Sequence, residues 1–236
     1  MLKEVKLDQV FVIDIETVPQ NEHFGQLPSQ LQKLWEQKSS YQRGEQTAEA
    51  FYEKAGIWAE FGKIICISIG LYHLEKKEIH LRIRSLYGDD EVFVLKQFIT
   101  LLNQQTDKLI LCAHNGKEFD FPYLCRRMLV NGLTIPKQLQ ISGKKPWEIN
   151  HLDTMELWKF GDYKHYTSLN LLTAIFNLPS PKEDIDGSMV KDIYYRNKDL
   201  ERIAGYCQND VIATAQLLLR FKGLPHISAE KITFVR

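Results

Sequence analysis

One apolar segment near the start of the chain carries two acidic side chains that a buried strand does not tolerate alone. Residues Gln9–Ile15 contain the run VFVIDI, which is β-branched and almost wholly apolar and predicts a buried strand closed by Pro19. Side chains two residues apart in a strand point to the same face, so Asp14 and Glu16 share a face. An unpaired buried charge is costly, and a second like charge beside it costs more.

Three environments would satisfy such a pair. The carboxylates are solvated at the carboxyl end of the strand, are neutralised by Lys or Arg, or hold a divalent cation. Hard oxygen ligands suit Mg²⁺ or Mn²⁺. The pair alone does not choose among these environments, and only further carboxylates converging on the same place would favour a metal.

A third acid, Asp120, stands at the start of a predicted helix that follows the buried strand Leu109–Ala113. A strand end, a polar loop and a helix N-terminus together form the usual ligand-binding place in open α/β sheets. Capping of the helix explains Asp120 equally well. Asn115 in the loop is also explained as a turn residue, and Phe119 as an anchor in the core.

A fourth acid lies in the middle of the long helix predicted from Lys198 to about Phe221. Asp210 is a poor helix former at such a position. Tyr206 precedes it by four residues, so the two side chains stack on one helix face, beside the apolar stripe. A solvated Asp with a Tyr packed beneath it is the alternative to a carboxylate turned towards a metal.

The order of predicted elements indicates an α/β fold with a mixed sheet, in one domain spanning residues 1–236. Residues 20–60 are polar and have helical spacing of apolar residues, which predicts a helical insertion after the first strand. The other predicted elements are strands at 63–71, 78–85 and 149–152, and helices after Asp89 or Asp90, at 47–59, 120–131, 154–160 and from Ser168 to a stop at Pro179.

Composition narrows the class of protein. Thirty basic residues balance 30 acidic ones, which argues against a non-specific protein that coats nucleic acid but not against an enzyme. No apolar run approaches the roughly 20 residues of a membrane span, and the N-terminal residues do not read as a signal peptide. The expected location is therefore cytoplasmic. The four cysteines form no C-x-x-C pair and are expected to be buried and reduced.

Together these segments resemble the DEDD 3′–5′ exonucleases, in the subclass that uses tyrosine. Asp14-x-Glu16 resembles the first motif of that family, Asn115-x-x-x-Phe119-Asp120 the second and Tyr206-x-x-x-Asp210 the third. The sequence DIET at the first motif is similar to the exonuclease domain of family B DNA polymerases. Segments 58–64 and 186–190 resemble a bacterial group of stand-alone exonucleases related to that domain. The resemblance spans roughly residues 9–222, and the insertion at 20–60 is not matched.

The resemblance implies an RNase H-like mixed sheet flanked by helices, and two divalent cations, Mg²⁺ or Mn²⁺, about 3.5–4 Å apart. Asp14, Glu16 and Asp210 would bind one cation, and Asp14 would bridge to the second, which Asp120 contacts directly or through water. Tyr206 would orient the attacking water or the phosphate, because its ordinary pKa of about 10 does not suit the main base.

The implied reaction is hydrolysis from the 3′ end of single-stranded nucleic acid, with DNA favoured, to nucleoside 5′-monophosphates. Asn115 and Phe119 would border the terminal nucleotide. An RNA exonuclease of the same fold and an inactive relative that binds nucleic acid are the alternatives, and DNA repair is one of several open pathways. Basic and aromatic loop residues suit a single-strand path, although solvated loops explain them too: Lys137, Lys144, Lys145, Trp147, Lys159, Lys164 and His165.

Overall fold

A mixed β-sheet forms the centre of the molecule. The structure is a computed structural model that describes residues 2–162, 166–178 and 185–235, apart from the side chain of Pro146. Its strands are β1 (Val10–Pro19), β2 (Gly62–Glu75), β3 (Glu78–Tyr87), β4 (Ile110–Ala113), β5 (Leu152–Asp153) and β6 (Ile232–Val235). They lie in the order β5-β4-β1-β2-β3-β6, with β1 antiparallel to β2 and parallel to β4.

Helices cover both faces of this sheet. They are α1 (Ser29–Ser39), α2 (Ala48–Phe51), α3 (Glu91–Asn103), α4 (Asp120–Val130), α5 (Thr154–Lys159), α6 (Leu169–Ile175), α7 (Val190–Asp192) and α8 (Leu200–Phe221). A π-helical turn, Ile193–Asn197, follows α7. The predicted α/β architecture with a mixed sheet is confirmed.

Strand β1 is buried on both faces because its alternate side chains enter two different cores. Phe11 and Ile13 pack into the core beneath α3 and α4, whereas Val10 and Val12 pack against α8. The strand runs to Pro19, so Asp14 and Glu16 lie inside it. They do not stand at its carboxyl end, because the pairing with β2 continues past a bulge after Glu16.

Helix α8 packs directly on β2 at a glycine. A methyl group added at Gly70 would come within 2.7 Å of Cγ1 of Val211, so only glycine fits there without a shift. Next along the strand, the hydroxyl of Tyr72 donates a hydrogen bond of 2.8 Å to the carbonyl of Ala215. These contacts fix the depth at which α8 sits against the sheet.

The segment 20–60 is helical, but its second helix is shorter than the predicted 47–59. Residues Tyr52–Ile57 form a 3₁₀ helix instead. In this 3₁₀ helix the carbonyl of Gly56 accepts two hydrogen bonds from distant parts of the chain. The donors are the hydroxyls of Thr17 at 2.9 Å and of Tyr123 at 2.7 Å. Rings of this segment pack around Trp35, whose indole N–H donates to the carbonyl of Ala48 at 2.7 Å.

Several predicted ends are corrected by local hydrogen bonding. Helix α8 begins at Leu200 and not at Lys198, because Lys198 adopts a left-handed φ of 57° and Asp199 caps the helix. Strand β5 comes later than the predicted 149–152. Strand β6 was not expected from the sequence. The predicted stop at Pro179 and the loop residues Lys164 and His165 lie outside the described residues.

An ion pair buried beneath the sheet ties four segments together. The carboxylate of Glu91, in the first turn of α3, accepts from the guanidinium of Arg127 at 2.6 and 2.8 Å. It also accepts from the backbone N–H of Ile64 at 2.8 Å and from the amide of Asn131 at 2.9 Å. Arg127 donates in addition to the carbonyl of Ala59 at 2.9 Å. Helix α4, which begins with Asp120, is thereby anchored to α3 and β2.

The cysteines are unbridged, as expected, and three of the four are buried. None of the helices in the described ranges combines the length and the apolar character that crossing a bilayer requires.

Candidate metal centre

Asp14 and Glu16 lie at the centre of the sheet and face α8. Asp14 pairs with Ser68 and Glu16 with Cys66 on β2. The Glu16 side chain is only 8% exposed, which argues against the alternative of two solvated carboxylates at a strand end. The thiol of Cys207, on α8, donates to the backbone carbonyl of Asp14 at 3.3 Å. One ligand atom each from Asp14, Glu16 and Cys207 lie within 4.8 Å of one another.

Burial and neighbouring acids act on Asp14 in the same direction. Burial raises the pKa of Asp14 well above its ordinary value, and the charges of Asp210, Glu16 and Asp120 raise it further, against a lowering by the Cys207 hydrogen bond. Its Oδ2 atom is buried and has no hydrogen-bond partner among the described residues. An ionised Asp14 therefore needs a positive charge that none of these neighbours supplies.

Asp120 is not the cap of its helix. Phe119 occupies the N-cap position of α4, and Asp120 is its first helical residue. Burial raises the pKa of Asp120 to about 7; the charges of Asp153 and Asp210 add to this, and backbone N–H groups of Asp120 and Ile15 oppose it. Its Oδ1 atom is also buried without a partner among the described residues. Capping thus does not account for this carboxylate.

Asp153 was missed in the sequence, yet it holds the loop of the second motif in place. Its buried carboxylate accepts from the backbone N–H of Asn115 at 2.9 Å and of Lys117 at 3.1 Å, and it caps α5 by accepting from Met155 at 2.9 Å. Thr154 follows Asp153 as the first residue of that helix. The signal in the sequence was an Asp directly before a helix, which is too common to single out.

Asn115 contributes a backbone bend to the site. Its φ is 61°, in the left-handed region that Asn adopts more readily than most residues. The bend turns the chain from β4 towards α4, and Asp153 fixes it through the backbone N–H. The side-chain Oδ1 of Asn115 is buried without a hydrogen-bond partner among the described residues.

Helix α8 supplies the remaining two candidates. Tyr206 and Asp210 are both half-buried, and Tyr206 packs against the core cluster that includes Cys207 and Ile203. The charge of Asp210 acts on both Asp14 and Asp120. Carboxylates from β1, α4 and α8 are thus brought close enough together to repel one another. The alternatives of a helix cap or a solvated surface acid do not explain this convergence.

A cleft of about 510 Å³ opens beside this cluster. Glu16, Thr17 and Phe119 line one part of it, and Gly187 and Ser188 another. Phe119 also packs on the core, where its ring centroid lies 5.3 Å from that of Tyr123. Phe119 is therefore both an anchor in the core and part of the cleft wall.

The donor set suits a hard divalent cation. It consists of carboxylate oxygens, two of them buried and unpartnered in the described structure. Burial raises the pKa of Cys207 well above its ordinary value, and the neighbouring Cys66 raises it further, so this sulfur stays a neutral thiol and a poor ligand. The acidic cluster can hold a metal ion through its oxygens.

The metal-free protein is expected to lose stability as the pH rises. The pKa of Asp120 is about 7 when folded, against about 3.9 when unfolded. The contribution of Asp120 to the free energy of unfolding is complete below its pKa in the unfolded protein. It is lost as the pH rises through its pKa in the folded protein. Thermal midpoints measured with a chelator between about pH 5 and about pH 8 should fall, and Asp120→Asn should flatten the slope. Asp107→Asn, at an exposed acid, is the control, and an unchanged slope in Asp120→Asn contradicts the assignment.

Comparison with known proteins relates this chain to an exonuclease family and to a DNA polymerase. The model of a family described as "predicted 3′-5′ exonuclease related to the exonuclease domain of PolB" matches residues 57–231. A DNA polymerase of Pyrococcus glycovorans is 25% identical over 137 residues, which cover 52% of this chain. The same alignment covers 17% of the polymerase, so the chain matches only a small part of that protein. The family match includes the second and third motifs and leaves Asp14 and Glu16 outside it.

Proposed function

The chain belongs to the predicted 3′–5′ exonucleases related to the exonuclease domain of PolB, and on that premise we propose that it hydrolyses single-stranded nucleic acid, with DNA favoured, from the 3′ end. The products are nucleoside 5′-monophosphates. The observation that carries the proposal is the mutual electrostatic influence of Asp14, Glu16, Asp120 and Asp210 at the centre of an RNase H-like sheet. Without a cation such a cluster only destabilises the fold, whereas a phosphodiesterase needs it.

Four carboxylates would hold the metal. Asp14, Glu16 and Asp210 would hold one divalent cation, Mg²⁺ or Mn²⁺, and Asp14 together with Asp120 would hold a second. Such cations, when bound, lower the pKa of a water ligand towards neutrality and stabilise charge on the leaving 3′ oxygen. The chain contributes a rigid frame for these carboxylates, because β1 is paired on both sides and the thiol of Cys207 ties its backbone to α8.

Tyr206 has a separate role, to orient the attacking water or the scissile phosphate through its hydroxyl. The position of Tyr206, one helical turn before Asp210, supports this role. The proximity of Gly187 supports it too, since a methyl group there would lie 3.9 Å from the Tyr206 hydroxyl. The hydroxyl is therefore near Gly187, which lines the cleft.

Tyr206→Phe is expected to lower kcat by about 10²-fold, the order lost when one positioned hydrogen-bond donor is removed. Metal affinity should stay at the wild-type level, because no metal ligand changes. Single-turnover rates and a Mn²⁺ titration separate the two quantities. A variant that loses metal binding along with activity would place Tyr206 among the ligands and contradict the role proposed here.

The cleft would receive the terminal nucleotide. Phe119 offers a ring on which any base can stack without being identified. Lys54 and Lys191 also line the cleft, and Lys191 is paired with Glu53 at 2.7 Å. Asn115 would border the same nucleotide, at the point where its left-handed backbone turns the loop. Beyond the cleft, Lys145 lies 5.2 Å from the ring of the exposed Trp147, which suits a path for the preceding bases.

The test is degradation of labelled single-stranded DNA, duplex DNA, RNA and closed circular single-stranded DNA, each with Mg²⁺ or Mn²⁺. A 3′–5′ exonuclease should shorten 3′ ends to monophosphates and leave circles intact. Faster loss of RNA than of DNA supports the RNA exonuclease alternative, and cut circles indicate an endonuclease. Binding without degradation of any substrate indicates the inactive relative and overturns the proposal.

A further inference from the structure

A group of three potential metal ligands lies far from the acidic cluster, at the tip of the β2–β3 hairpin. One ligand atom each from His73, Glu75 and His80 lie within 4.8 Å of one another. Ser68, opposite Asp14 in the sheet, precedes His73 by five residues, so the two sites are separated by about 17 Å along β2. Neither the family match nor the acidic cluster accounts for this group.

Strand geometry explains why the three side chains converge. His73 and Glu75 are two apart on β2 and point to the same face. His80 is the direct cross-strand partner of His73 in β3, and directly opposite side chains lie on one face. The two imidazole centroids are 5.4 Å apart with the rings tilted by 42°. The hairpin thus presents three ligands from a rigid paired backbone.

The immediate surroundings leave His73 short of a partner. Its Nδ1 atom is buried and has no hydrogen-bond partner within the described part of the chain. A buried polar atom without a partner costs free energy unless something binds it. A cavity of about 590 Å³ opens next to His73, lined by residues that include Leu7, Asp8 and Ile79. His73 therefore borders open space beside the hairpin.

We propose that His73, Glu75 and His80 form a second metal site that takes Zn²⁺ or a transition-metal dication of similar preference. Two imidazoles and one carboxylate are a ligand set that suits zinc, and three protein ligands leave the fourth position to water. Mg²⁺ prefers oxygen ligands and is excluded by the same argument. The site is independent of the acidic cluster and does not rest on the proposed nuclease function.

The test compares Zn²⁺ binding by calorimetry in the wild-type chain, His80→Ala and the control His226→Ala, whose histidine is exposed elsewhere. The wild type and His226→Ala should bind one Zn²⁺ more than His80→Ala does. Loss of even an outer partner of a ligand costs about 10–100-fold in affinity, so the loss at this site should reach at least about 100-fold. Any Zn²⁺ bound by the acidic cluster is bound by all three proteins, so it does not contribute to the difference in stoichiometry between them.

Two further readouts keep the inference testable if His80→Ala folds poorly. Glu75→Gln keeps the shape of an exposed side chain and should also weaken Zn²⁺ binding. Co²⁺ should give visible absorption bands in the wild type that both variants lack, and Mg²⁺-dependent nuclease activity should be unchanged in Glu75→Gln. Equal Zn²⁺ stoichiometry and affinity in the wild type and Glu75→Gln, with the same Co²⁺ spectrum, would reduce the group to a stacked histidine pair and overturn the site.

Discussion

Asp14→Asn is expected to lower nuclease activity by at least about 10³-fold and at the same time to stabilise the metal-free protein. Activity falls because Asp14 is the proposed ligand of both cations. Stability rises because burial and three neighbouring acids raise the pKa of Asp14, so its charge opposes folding when no cation is bound. A neutral amide of the same shape removes that repulsion. Loss of function and gain of stability in one variant distinguish a charged site from a structural one.

Two measurements check this expectation. Single-strand degradation in Mn²⁺ gives the activity, and thermal unfolding with and without Mn²⁺ gives the stability. Mn²⁺ should raise the thermal midpoint of the wild type and not that of Asp14→Asn. Asp107→Asn, at an exposed acid paired with Lys137, should behave as the wild type in both assays. Wild-type activity in Asp14→Asn would contradict the assignment of the site.

Glu91→Ala is expected to lower the free energy of unfolding by about 3–5 kcal/mol, the cost of leaving a buried partner charge alone. Arg127 is 2% exposed and would lose both of its bonds to the carboxylate. The N–H of Ile64 and the amide of Asn131 would lose an acceptor as well. Denaturant unfolding at fixed temperature measures the change.

The matched control for that ion pair is the double variant Glu91→Leu/Arg127→Met. Replacing both charges by apolar side chains of similar size is often close to neutral, so most of the lost stability should return. Helix α4 also starts at Asp120, so Glu91→Ala should lower nuclease activity more than its folded fraction predicts. A double variant as unstable as the single one would mean that the other hydrogen bonds of this cluster, and not the unpaired charge, dominate its stability.

Much of the fold was predictable because it follows from local patterns. The amphipathic stripe of α3 and the alternation in β3 are strong periodic signals, and the cap of α3 is Asp90, one of the two residues expected. The strand VFVIDI was found because it is apolar on both faces. The pairing of Thr17 to Pro19 with β2 was not found, because it is a long-range contact that residue type does not encode.

In the candidate site, too, features set by local spacing were predictable and features set by long-range contacts were not. Tyr206 and Asp210 share a face for a reason of helical spacing alone, and the sequence fixes that spacing. The role of Asp153 depends on two backbone N–H groups 36 and 38 residues away, which no pattern near Asp153 reveals. The cross-strand pair of His73 and His80 likewise appears only once the hairpin register is known.

Gly70 bears on which ion such a site can discriminate. Oxygen ligands lie about 2.0–2.1 Å from Mg²⁺ and about 2.3–2.6 Å from Ca²⁺, a difference of a few tenths of an ångström. A methyl group at Gly70 would lie 2.7 Å from Cγ1 of Val211, so a larger residue there would require Val211, and the helix that carries it, to shift. Asp210 directly precedes Val211, so this displacement would reach the carboxylate. Under the metal binding proposed above, Gly70 thus helps to set the distance of Asp210 from the other carboxylates, and with it the size of the ion that fits between them.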